Sequence, residues 1–137
     1  MSHLSLEQKA ILDAALQCYV SALNALDEER FLACFRSNCV VRDPYGVSLY
    51  EGQDGLRQYF STMAETWQHY EMKPGRVYYG GPERVVFTWE VMAQARNGKT
   101  ARFEGVNVMT LEGALIDGLE AYWDAPAMFE QIRDARG

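Results

Sequence analysis

The sequence predicts an α+β fold in which helices pack on one face of a curved antiparallel sheet and leave a cavity at its open end. Three observations predict it. Apolar residues recur every three or four positions through the first half of the 137-residue chain, the period then falls to two, and glycine-bearing turns separate four alternating runs. With 48% hydrophobic residues and no linker, repeat or low-complexity segment, residues 1–137 read as one domain with a sizeable core.

Ser5 followed by Gln8 is a capping-box signature. Leu12, Ala15, Leu16, Tyr19, Leu23 and Leu26 then recur at helical spacing, while Asp13, Gln17, Ser21 and Asn24 hold the other face. A first helix to about Leu26 follows. Asp27 can cap a second, shorter helix through EERFLACF, and the apolar CVV run from Cys39 reads as a strand. Leu56, Tyr59, Phe60, Met63 and Trp67 predict a third helix from about Asp54 to His69. Residues 71–80, 84–95, 100–111 and 114–124 read as strands of an antiparallel meander, divided by GGPE, RNGK and LEGA. Asp124 and Pro126 are an N-cap and an early helical proline, opening a short C-terminal helix over PAMFEQIRD.

Composition excludes several function classes. A formal net charge of −6 with no Lys/Arg cluster leaves no electrostatic footprint for nucleic acid or an anionic membrane. No apolar run reaches membrane-spanning length and MSHLSLEQKA has no secretory pattern, so a cytoplasmic location is expected. Cys18, Cys34 and Cys39 are odd in number, lack CxxC spacing and fall in apolar surroundings, so reduced, packed thiols are expected. His3 and His69 are the only histidines, too few for a multi-histidine metal site or a convincing serine triad. No phosphate-binding glycine loop is present, and neither a metal nor an organic cofactor is expected.

Three polar residues stand where the pattern wants otherwise. Asp43 precedes Pro44, whose ring pushes it towards extended geometry, so its carboxylate lies at a strand end as a turn former or as a working acid. Tyr19 falls on the apolar stripe of the first helix, where a buried hydroxyl needs a partner whether its role is structural or chemical. Asn107 shares a strand face with Ala101, Phe103, Gly105, Met109 and Leu111. A buried amide there costs about 1–3 kcal/mol unless hydrogen-bonded, either to a bulged backbone beside Gly105 or to a ligand.

The run YVSALNALDEERFLACFRSNCVVRDPYGVSLYEGQDGLRQYF, Tyr19 to Phe60, resembles the N-terminal half of bacterial ketosteroid isomerases, within the NTF2-like and SnoaL-like domains. Tyr19 with the ALN that follows, the DPxG at Asp43 and the GxxxLRxY helix carry the likeness, which continues more weakly to Trp123. The resemblance implies a cone made of one curved sheet wrapped around three helices, with a hydrophobic pocket at its wide end, and a homodimer. It implies Asp43 as general base, Tyr19 as the phenol that hydrogen-bonds a substrate carbonyl, and Asn107 where the family carries a protonated acid as second donor. An amide donates without any protonation requirement, though more weakly. Phe60 replaces a tyrosine that many of these isomerases use to support the phenol, a network absent here or rebuilt by Tyr59 or Tyr122. Tyr59, Phe60, Met63, Trp89, Phe103, Met109 and Trp123 are expected as pocket walls, or as ordinary core. The expected activity is a cofactor-independent shift of a C=C bond next to a ketone, on a steroid or similar apolar enone. A SnoaL-like polyketide cyclase or dehydratase, or a non-catalytic small-molecule binder, are the alternatives.

Overall fold

The computed structural model describes residues 4–133. His3 lies outside them. Helix α1 spans Leu6–Ala25, opened by the expected capping box, in which Ser5 accepts from the Gln8 amide and Gln8 reaches back to Ser5. Leu26 ends it in the left-handed region at φ 50°, a conformation uncommon outside glycine. Asp27 accepts from the Arg30 amide and caps α2, Glu28–Ala33. The chain turns directly into β1, Phe35–Arg42, then the three-residue β2, Leu49–Glu51, and α3, Gly52–Thr66. Strands β3 (Trp67–Tyr79), β4 (Arg84–Ala95), β5 (Thr100–Glu112) and β6 (Leu115–Trp123) follow, and α4 spans Ala125–Ile132 under the Asp124 cap.

Six strands form one curved sheet in the order β2-β1-β6-β5-β4-β3. The meander β3 to β6 is antiparallel as expected, whereas β1 lies parallel to β6, with Val41 opposite Leu119, an arrangement no local pattern announces. Helices α1 and α3 pack against the sheet, over a core that includes Leu12, Leu16, Leu23, Phe31, Phe87 and Ile116. Asn24, expected on the solvated side of α1, instead clamps the helix to β3: its amide nitrogen donates to the Met72 carbonyl and its oxygen accepts from the Met72 N–H.

Three expectations need correction. Residues 67–69 extend β3 rather than α3, because Trp67 and Tyr70 pair with Ala95 and Ala93 of β4, and that ladder overrides a helical spacing that is also compatible with burial. The ladders run in register through Gly105, so no bulge frees a backbone partner for Asn107, and the irregularity between β5 and β6 falls at Thr110 and Leu111. Cys18 and Cys34 form a disulfide, leaving Cys39 as the buried free thiol. The pair lies sixteen positions apart in the chain, but α1 and the α2–β1 junction bring them side by side, a proximity invisible in the spacing.

Candidate functional site

Asp43 follows the last residue of β1 and is 7% exposed, with a cis peptide bond to Pro44. Its backbone N–H donates to Ser48 across the loop. Tyr19, on the inner side of α1, and Asn107, on the inner face of β5, are each 1% exposed. The three are far apart in the chain, yet all line one cavity of about 190 Å³.

Two indoles hold the polar atoms in place. Trp123 Nε1–H donates to Asp43 Oδ1 at 2.7 Å. Trp89 Nε1–H donates to Asn107 Oδ1 at 2.8 Å, which turns the amide so that Nδ2 donates to the Tyr19 hydroxyl at 3.2 Å. The Tyr19 oxygen is therefore an acceptor for Asn107, and its own O–H has the neighbouring Tyr59 oxygen within hydrogen-bonding reach. Trp89, Gly105 and Trp123 stand in one row across β4, β5 and β6. Glycine is required between them: a Cβ at 105 would lie 2.5 Å from the Trp89 ring and the Tyr122 carbonyl oxygen, and 2.9 Å from Trp123 Cβ.

The electrostatics follow from burial. Desolvation raises the Asp43 carboxyl above its ordinary range, opposed by hydrogen bonding from Trp123 and Tyr59. Burial first, then the charge of Asp43, pushes the Tyr19 phenol up, while bonding to Asn107 and Tyr59 draws it back. Burial likewise holds Tyr59 and Tyr70 well above the normal phenol range, with Asp43 adding to each. One buried carboxylate thus sits among phenols that stay protonated. No buried side-chain polar atom lacks a partner among the described residues. No cluster of three His, Cys, Asp or Glu side chains suited to a metal ion occurs among them either.

Of the expected walls, Tyr59, Met63, Trp89, Phe103 and Trp123 line the cavity. Phe60 and Met109 do not: both are buried in the packed core, Phe60 against Phe31. Tyr122 alternates with Trp123 onto the outer face of the sheet, where it is exposed beside Tyr45, so it rebuilds nothing in the cavity. Tyr59 is the phenol that faces Tyr19 and Asp43. Sequence reasoning missed Tyr50, Trp67, Tyr70, Met72 and Phe129 as lining. Met72 lay in the expected strand over 71–80, whereas Tyr70 joins its face only because β3 extends back to Trp67, and Phe129 reaches the cavity through the docking of α4.

A curved sheet closed by helices over an aromatic hollow is the NTF2-like fold. Within it, the chain belongs to the SnoaL-like domain family, whose model matches residues 16–119, about three quarters of its length. Solved structures share the fold. A Δ5-3-ketosteroid isomerase from Mycobacterium sp. is 22% identical, with 86% of this chain and 96% of that one covered at a TM-score of 0.77. RV0760c from Mycobacterium tuberculosis, in complex with estradiol-17beta-hemisuccinate, is 20% identical over 85% and 96%, at 0.76. SalBIII, an epoxide hydrolase/cyclase-like enzyme in pyran ring formation in the polyether salinomycin, is 21% identical over 88% and 93%, at 0.74. No curated protein matches the chain.

Proposed function

We propose that the protein is a cofactor-independent isomerase that moves a C=C bond into conjugation with a ketone. The observation that carries this reading is a buried carboxylate, Asp43, in one aromatic hollow with a buried phenol, Tyr19, and a buried amide, Asn107. Asp43 Oδ2 takes a proton from the carbon between the carbonyl and the double bond. The C–H pair moves into a dienolate whose negative oxygen accepts the Tyr19 hydrogen bond. Asp43 then returns that proton to the far carbon of the dienolate, so atoms and charge balance without a co-reactant. Asn107 stabilises the phenol oxygen as charge builds on it, and its second N–H is available to the substrate oxygen. The ring walls exclude water from a carboxylate already displaced towards proton uptake.

The test is incubation with β,γ-unsaturated ketones, from 3-ketosteroids down to single rings, followed by conjugated-enone absorbance. Turnover above that of Asp43→Asn supports the reading; equal traces from both proteins remove it.

One observation favours a second reading, a SnoaL-like cyclase or dehydratase. Burial keeps Asp43 more protonated than an ordinary carboxylate, which also suits a general acid. Turnover of an aromatic polyketide intermediate, with the enones untouched, selects it. A homodimer and cytoplasmic residence complete the proposal. No helix among the described residues is long and apolar enough to cross a membrane.

A further inference from the structure

The cavity is small. Its 190 Å³ compares with the roughly 150 Å³ that accommodates one benzene ring in a protein interior. All the space between atoms in the depression, its solvent-open side included, amounts to about 870 Å³.

The side chains that set this limit are the ones least able to move. Phe103 stacks on Trp67 at 6.0 Å between ring centres, meets Trp89 edge-on at 5.8 Å and leans on Trp123 at 5.3 Å. Trp89 and Trp123 are also tied by their N–H groups to Asn107 and Asp43. Swinging either indole aside to enlarge the hollow would leave a buried amide oxygen or a buried carboxylate short of a donor, a cost well above that of an ordinary rotamer change. Gly105 between them lets the two rings sit this close. The indoles that aim the polar atoms also bound the space in front of them.

We propose that the site selects compact carbonyl compounds of one or two fused rings, and that rings beyond the second gain nothing from it. This narrows the enone reading above and rests on it for the identity of the reacting group; the size limit itself is independent of turnover. Phe103 is the specificity-determining wall, since it closes the aromatic cluster without holding any polar atom.

All three tryptophans of the chain, Trp67, Trp89 and Trp123, line the cavity, so intrinsic fluorescence reports its occupancy. Phenol, 2-naphthol and estradiol are titrated as mimics of an enolate on one, two and four rings. Affinity is expected to rise about tenfold from phenol to 2-naphthol and by less than about twofold from there to estradiol. A further tenfold gain at estradiol overturns the proposal, and so does an absence of quenching by all three. In Phe103→Ala, or Phe103→Leu should the alanine variant not fold, the estradiol-to-naphthol affinity ratio is expected to rise about tenfold. An unchanged ratio overturns the role of Phe103 as the limiting wall. Failure of the isomerase reading gives a different pattern: the ligand ladder stays intact while every enone remains unconverted.

Discussion

The inner face of β5 passes through two environments within four residues. At Met109 it is a closed core: Met109 is fully buried and pairs across the sheet with Val85 and Leu119, both apolar and buried. At Gly105 and Asn107 the same face meets a hollow, where an amide is held by an indole and a glycine makes room for two rings. Close packing of apolar atoms stabilises the first region. The second keeps a carboxylate, an amide and several phenols out of water, and its hydrogen bonds offset that cost rather than add to stability. One strand therefore carries fold and candidate chemistry in series.

That contrast predicts opposite responses to substitution. The largest effect is expected from Asp43→Asn, which should lower kcat by about 10²–10⁴-fold on any enone the protein turns over. The same variant should melt no lower than the parent at pH 7, and on the order of 1 kcal/mol higher. Burial raises the folded pKa of Asp43, so the folded state keeps this proton to higher pH than the unfolded chain does. The stability linked to it is present at low pH and is lost as pH rises from the ordinary carboxylate range through the raised value. A marked loss of stability in Asp43→Asn at pH 7 would instead make the residue a structural turn former.

Next in size, Met109→Ala should reverse the pattern. It leaves a void in the closed half of the face and should cost about 2–5 kcal/mol in chemical denaturation, with kcat of the folded fraction within about twofold of the parent. A large drop in kcat would mean that the two regions are not separable. The smallest expected effect is on the pH profile. The rate should climb as Asp43 ionises at its raised pKa and then stay level past the ordinary phenol range, because Tyr19, Tyr59 and Tyr70 are all held protonated by burial. A descending limb near neutral pH would point to a donor other than these phenols or the Asn107 amide.

Local chemistry was legible wherever its causes are local. Ser5, Asp27 and Asp124 cap their helices because a side-chain oxygen reaches an amide three residues on, and the period-two runs became strands because alternation buries one face. The oddity of Asn107 on that face was legible too, as were Tyr19 on its helical stripe and Asp43 beside its proline. What the chain alone did not carry depends on elements far apart in sequence. The β1–β6 parallel pairing, the meeting of Cys18 with Cys34, the extension of β3 back to Trp67 and the turn of Tyr122 to the outer face all follow from docking. So do the two indoles that hold Asp43 and Asn107, separated from them by 80 and 18 residues. Capping and alternation act over a few residues and are written in order along the chain. Cavity size and the orientation of a buried amide are set by contacts that come into being only when the sheet has curved and closed.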